Sequence, residues 1–175
     1  FSLKLGAGEE KESAEYAGNG ICLMAIFGIA LFAVTTIFLT PMLKFFGATS
    51  EVLPYAQEYT RITAIGFPFL IANTGMSKLI LADGSPRYSM TSMLVGAIVN
   101  TILDPIFIFG YFGVPRMGVA GAAVATVIGQ IVAGTAACII NLKANTEIHF
   151  RIKGFRPDGK IIGLIYEVGI PSIIM

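Results

Sequence analysis

Long apolar runs dominate the pattern of this chain. No charged residue occurs between Glu15 and Lys44 or between Arg116 and Lys143, and two further runs each contain a single charge. A run of about 20 apolar residues is long enough to cross a hydrocarbon core as an α-helix. A fifth run begins near Lys160. We therefore predict four complete membrane helices, near residues 18–40, 60–82, 88–112 and 117–141.

These runs predict an all-α integral membrane protein, a polytopic helical bundle. A helix satisfies its own backbone hydrogen bonds, and hydrocarbon has no groups that could form them instead. Long buried helices in a large soluble protein are the alternative, and several uncharged runs in succession argue against it. The loops between the runs are short and turn-like, for example Asp83-Gly84-Ser85-Pro86. Short loops make neighbouring helices antiparallel.

The composition supports a membrane protein and excludes several other classes. The chain is 55% apolar and 13% charged, whereas soluble domains carry about 25% charged residues. With 12 basic and 11 acidic residues it has no basic excess, so we expect no nucleic-acid partner. Cys22 and Cys138 lack the paired spacing of a disulfide framework or metal site, and we interpret both as core residues.

The basic residues predict the orientation. They divide nine to three between alternate loops, and cytoplasmic loops carry the excess of Lys and Arg. We therefore expect a multi-pass protein of the cell membrane with loops 1–15, 83–88 and 142–160 in the cytoplasm. In the last loop, apolar and polar residues alternate over 148–153, which predicts an extended stretch. Its basic residues either contact anionic lipid head groups or are simply solvated.

Asp104 is the only acidic residue inside the four complete predicted helices. An ionisable group at such a position costs at least about 2.5 kcal/mol and indicates a functional site. Asn100 lies one turn earlier, and Pro105 leaves the carbonyl of Thr101 without its helical donor. These oxygens suit a proton or Na⁺ rather than a soft transition metal. The alternative is that Asp104 only bonds to a neighbouring helix.

Two other predicted helices carry distinctive residues. Pro68, inside the 60–82 helix, predicts a kink or break, with Asn73 below it. Thr126 and Gln130 either face a polar cavity or bond to their own backbone. They lie beside a stripe of small residues suited to close helix packing. This stripe consists of Gly121, Ala125, Gly129, Ala133 and Ala137. No phosphate-loop, dinucleotide or zinc-protease motif is present, so the sequence predicts no enzyme.

Several segments in order resemble the MATE family, the multidrug and toxic compound extrusion transporters. The most specific are Asn100 with Asp104-Pro105, and the glycine-alanine run from Gly118 to Thr126. Weaker matches include Leu5-Gly6-Ala7-Gly8, Gly66-Phe67-Pro68 and Asp83-Gly84-Ser85-Pro86-Arg87.

The resemblance implies a twelve-helix transporter made of two six-helix lobes. Residues 1–141 would then be helices of the N-terminal lobe, from the end of the second to the sixth. Residues 142–160 would be the cytoplasmic linker between lobes, and residues 161–175 the start of the seventh helix. The chain begins with Phe1 and ends in apolar sequence, and we expect it to be a piece of a longer protein.

The resemblance also implies a function and a site. The family function is secondary active multidrug efflux, an antiport of organic cations or amphipathic drugs against H⁺ or Na⁺. A cation or proton site would include Asp104, Asn100, Asn73 and Thr126, together with a first-helix aspartate outside this sequence. Pro68 and Pro105 would allow helix bends. We expect no cofactor besides the coupling ion, a drug substrate, membrane lipid around the helices, and a monomer when full length.

Three alternatives stay open. A flippase for lipid-linked oligosaccharides is a related transporter, and it would need a more basic cavity than Lys78 near a helix end provides. An intramembrane enzyme would need a second catalytic group beside Asp104, and the predicted spans show none. A non-transporting membrane subunit would tolerate the loss of Asp104.

Overall fold

The computed structural model describes residue 8 and residues 10–82, 84–144 and 158–174. Over these residues the chain forms helices and contains no strand, so the predicted all-α class is confirmed. A 3₁₀ turn follows the fifth helix at Tyr111–Gly113. The α-helices in order are α1 (Glu10–Ile37), α2 (Leu39–Phe45), α3 (Leu53–Ile65), α4 (Phe67–Ala82), α5 (Pro86–Phe109), α6 (Val119–Ala144) and α7 (Gly159–Ile174).

Three of the described helices, α1, α5 and α6, are each long and apolar enough to cross a membrane. Helices α3 and α4 pass the same test together, although they are bent by 53° where they meet. Four complete spans were predicted, and the described residues contain up to four candidate spans when the bent pair is counted as one.

The helix ends differ from the predicted ones. Helix α1 begins at Glu10 rather than near residue 18, so residues 10–15, predicted as part of a loop, are helical. This segment is rich in Glu and Lys, which favour helix and let α1 extend beyond the apolar run. Helix α3 begins at Leu53, and Pro54 lies in its first turn rather than in a loop. Proline is tolerated there because that N–H has no helical partner.

Two further boundaries were wrong by a few residues. Helix α5 ends at Phe109 rather than 112, because Gly110 adopts a left-handed conformation with φ of 81°. Helix α6 continues to Ala144, into the segment predicted as a linker. The predictions for residues 1–6 and for the extended stretch at 148–153 lie outside the described residues.

The most extensive helix packing joins α5 and α6, which lie antiparallel. A Cβ added to Gly96 would lie 2.6 Å from the Cβ of Ala133, and one added to Gly129 would lie 3.1 Å from the Cβ of Asn100. Further along, a Cβ on Gly121 would lie 2.5 Å from the carbonyl oxygen of Phe107. The predicted stripe of small residues therefore packs against α5 at backbone distance.

Helix α4 lies against α1, α5 and α6 and is the centre of the bundle. Two buried polar contacts fix it there. The hydroxyls of Ser77 and Ser92 are hydrogen-bonded at 3.3 Å between α4 and α5. From α6, the Nδ2 of Asn141 donates to the carbonyl oxygen of Met76 at 3.2 Å.

Replacing Asn141 by leucine is expected to lower the free energy of unfolding by about 1–2 kcal/mol, because the hydrogen bond from α6 to the carbonyl oxygen of Met76 on α4 is lost. Thr135→Val is the matched control, since the exposed Thr135 hydroxyl bonds to Ile131 of its own helix. Unfolding of the full-length protein in detergent measures the difference. An equal loss in both variants would contradict this role for Asn141.

Candidate functional site

Asp104 lies on α5, half-buried, with the amide of Asn100 one turn before it. The Nδ2 of Asn100 donates to the Oδ1 of Asp104 at 3.4 Å, a long hydrogen bond. The helical spacing places the two side chains on one face, as the sequence predicts. A weak bond of this length leaves the carboxylate accessible to a competing cation or proton.

The segments of α5 before and after Asp104 both contact other parts of the chain. Asn100 contacts α6 through Gly129, since no Cβ intervenes between them. After Pro105, α5 continues to Phe109, and the backbone N–H of Met117 then donates to the carbonyl oxygen of Phe107 at 3.0 Å. The carboxylate is therefore presented by a helix whose position is fixed against α6. The predicted bend at Pro105 stays a prediction.

The other two predicted site residues do not bond to Asp104. The hydroxyl of Thr126 donates to the carbonyl oxygen of Ala122 in its own helix at 2.9 Å. On α4, the Oδ1 of Asn73 is buried and has no hydrogen-bond partner among the described residues. An unpartnered buried oxygen is unfavourable and is suited to accept a donor or a cation.

Pro68 lies in the first turn of α4, directly after the 53° bend, rather than well inside a helix. Pro68 has no N–H to donate to the carbonyl of Ala64, and a backbone N–H at the C-terminal cap of α3 bonds to that carbonyl instead. Helix α1 touches this bend, because a Cβ on Gly28 would lie 2.8 Å from the Cα of Pro68. Broken helices of this kind often line transport cavities.

Gln130 of α6 contributes a polar group at the same bend. Its Oε1 is buried, has no partner among the described residues, and packs against Gly66 where a Cβ would overlap it. The sequence places Gln130 one turn after Thr126 and beside the small-residue stripe. No sequence signal shows that the break between α3 and α4 lies opposite, since that contact depends on tertiary packing.

The candidate residues are therefore oxygen-bearing side chains on three helices, and a described hydrogen bond joins only Asn100 and Asp104. Asp104 and Asn100 are joined on α5, Thr126 and Gln130 lie on α6, and Asn73 lies on α4. Carboxylate, amide and hydroxyl oxygens are hard ligands suited to protons and small cations.

The apolar spans and this bundle define a multi-pass helical membrane protein. The MatE family model matches residues 1–106, and the chain belongs to this family. The resemblance to MATE transporters is thereby confirmed.

Known proteins similar to this chain include exporters and transporters. The Multidrug export protein MepA of Staphylococcus haemolyticus is 30% identical over 175 residues, which are 100% of this chain and 38% of that protein. A crystal structure of MATE in the bent conformation gives a TM-score of 0.88 at 26% identity, over 98% of this chain and 38% of the other. An inward-facing multidrug resistance MATE transporter gives 0.86 at 26% identity, with the same coverage. The chain thus spans under two fifths of the length of these relatives.

Proposed function

We propose that the full-length protein is a secondary active exporter of organic cations or amphipathic drugs, driven by the inward movement of H⁺ or Na⁺. The observation that carries this proposal is Asp104, a carboxylate within a membrane span, half-buried and only weakly bonded to Asn100. Such a costly group is retained where it takes part in function. The exporter named among the similar proteins supports the same class.

In this proposal the coupling ion binds at Asp104, with Asn100 as its closest companion. Asn73 and Thr126 supply further oxygens when the helices close around the ion. Binding of a cation or a hydrogen-bond donor is most favourable at buried oxygen atoms without a partner, such as Oδ1 of Asn73.

The driving force for this exchange is adequate. One charge moving through 100 mV releases about 2.3 kcal/mol, which shifts an equilibrium between two conformations by more than tenfold. Alternating access would then be a rocking of one lobe against the other, with the α3–α4 bend as a flexible point. In this proposal the membrane is the cell membrane, the full-length protein is a monomer, and residues 1–15, 83–88 and 142–160 lie on the cytoplasmic side.

The proposal is tested with the full-length protein in liposomes loaded with a fluorescent organic cation. Imposing a pH gradient or a Na⁺ gradient separately is expected to accelerate efflux with one of the two ions, and an ionophore for that ion should abolish the effect. Efflux unaffected by either gradient would overturn the proposal, and the gradient that works identifies the coupling ion.

A flippase for lipid-linked oligosaccharides is the second candidate. Recognition of a pyrophosphate would need buried cations, whereas Lys78 is exposed and near the end of α4. Transfer of a fluorescent polyprenyl-linked sugar across the same liposomes, without dye efflux, would favour the flippase.

A further inference from the structure

The loop between α5 and α6, residues 110–118, exposes an aromatic side chain. Phe112 is 91% exposed, and it is the only non-glycine residue in the described segments with a positive φ, at 58°. This left-handed conformation is unfavourable for a bulky residue, and such conformations are concentrated at functional sites. Transfer of the exposed ring from water to an apolar medium would be favourable and would offset that cost.

The backbone of this loop is folded back onto the end of α5. The N–H of Gly118 donates to the carbonyl oxygen of Ile108 at 3.3 Å. A Cβ on Gly110 would lie 2.9 Å from the backbone nitrogen of Arg116, so the two strands of the loop are in close contact. The conformation of Phe112 is therefore set by the loop around it, and its ring projects from a fixed support.

The loop joins the ends of two membrane spans. Helix α5 ends at Phe109 and α6 begins at Val119, and each is long and apolar enough to cross a membrane. The loop therefore lies where the hydrocarbon meets the head groups, a depth at which aromatic side chains are common in membrane proteins. The ring of Tyr111 lies against that of Phe109, with centroids 5.9 Å apart. The aromatic surface thus continues from the span into the loop.

An exposed apolar stripe on α5 leads to this loop. Its members recur every four residues and are each more than half exposed, namely Met90, Leu94, Ile98 and Ile102. Asn100 and Asp104 lie on the opposite side of the helix, because two residues turn an α-helix by about 200°. Ionisable groups in membrane spans face the protein interior, so the stripe is the side of α5 suited to lipid. The loop continues this lipid-facing surface.

Arg116 adds a positive charge to the same loop. It is exposed, and no ion pair joins it to another described residue. Residues 110–118 contain no acidic side chain. A guanidinium group forms charge-assisted hydrogen bonds with phosphate oxygens. A phospholipid offers both a phosphate and, directly beneath it, an acyl chain for an aromatic ring.

We propose that residues 110–118 bind the phospholipids of the adjacent leaflet, with the Phe112 ring among the upper acyl carbons and Arg116 at a lipid phosphate. The loop thereby fixes the depth in the membrane of the α5–α6 pair, which carries Asp104 and Thr126. This surface is independent of the transported substrate and of the coupling ion.

Lipid quenching of a single tryptophan tests the proposal. Phe112→Trp is made in the full-length protein after its other tryptophans are replaced, and the protein is reconstituted in phosphatidylcholine vesicles. Lipid brominated near the head group is expected to lower its fluorescence about twofold or more, and more than lipid brominated near the chain ends. Ile98→Trp is the matched comparison, since it lies on the stripe near the middle of α5, and the opposite order is expected for it.

Two results would overturn the proposal. Quenching of the Phe112→Trp protein by aqueous iodide but not by brominated lipid would place the ring in water. Protection from both quenchers would show that another part of the full-length protein covers the ring.

The role of Arg116 is tested in the same Phe112→Trp protein. Arg116→Glu is expected to weaken quenching by lipid brominated near the head group about 1.5-fold or more, because a carboxylate is repelled by the lipid phosphate. Arg61→Glu, which reverses an exposed charge on α3, is the control. Equal quenching in the two variants would overturn the role of Arg116. The measurement requires no transport, so absence of gradient-driven efflux would refute the proposed function and leave this surface established.

Discussion

Asp104→Asn is expected to abolish ion-coupled efflux while leaving the protein folded. The substitution keeps the size of the side chain and a carbonyl oxygen near Asn100, but it removes the negative charge. Without that charge the site no longer carries the coupling ion through the membrane potential, worth about 2.3 kcal/mol per charge at 100 mV, so gradient-driven efflux falls about fiftyfold. The measurement is the initial rate of dye efflux with and without the ion gradient.

The control for Asp104→Asn is Glu58→Gln, which removes one negative charge from an exposed position on α3. This variant is expected to keep the full response to the ion gradient. Thermal unfolding in detergent should show that both variants are folded. Undiminished gradient-dependent efflux by Asp104→Asn would refute the assignment of the coupling site to this carboxylate.

Gly121→Ala is expected to destabilise the protein by about 1–3 kcal/mol, the range seen when a packed core is overfilled. The added Cβ would lie 2.5 Å from the carbonyl oxygen of Phe107 and 2.6 Å from its carbon. Backbone cannot rotate away, so α5 and α6 must separate. The sign of the change in the free energy of unfolding is informative, because alanine in place of glycine inside a helix normally stabilises it by about 0.5–1 kcal/mol.

Gly75→Ala is the matched comparison for Gly121→Ala. Its Cβ would overlap the end of the Met24 side chain, and methionine has three rotatable bonds with which to move aside. We therefore expect Gly75→Ala to change the free energy of unfolding by less than about 1 kcal/mol. Denaturant unfolding of the full-length protein gives both values. An equal loss in the two variants would show that contact with backbone is not the cause.

Much of this fold is predictable from the sequence because the hydrocarbon of a membrane restricts the length and composition of the helices that cross it. The length of the apolar runs located the spans, and the repeat of small residues from Gly121 identified the face of α6 that packs most closely. Helix ends were predicted less well, since they depend on local capping. The charged segment from Glu10 extends α1, and Gly110 ends α5 through its positive φ.

The site was only partly predictable, for a physical reason. Asn100 and Asp104 lie one turn apart on one helix, so their hydrogen bond follows from helical spacing alone. The contact of Gln130 with Gly66 joins two helices that are far apart in sequence. Nothing in the local pattern encodes such a contact. The same holds for the hydrogen bond that the backbone N–H of Asp158 donates to the Oδ1 of Asn19.

The packing of Gln130 against Gly66 restricts how this protein can diverge. A side chain at position 66 needs the volume that the Gln130 amide occupies, so it requires that amide to turn away, a shorter residue at 130, or a different bend between α3 and α4. Substitution of Gly66 therefore depends on the residue at 130, whereas a shorter residue at 130 is compatible with glycine at 66. Among homologues with the same bend, a long polar residue at 130 should accompany glycine at 66, and the two sites should covary as a pair.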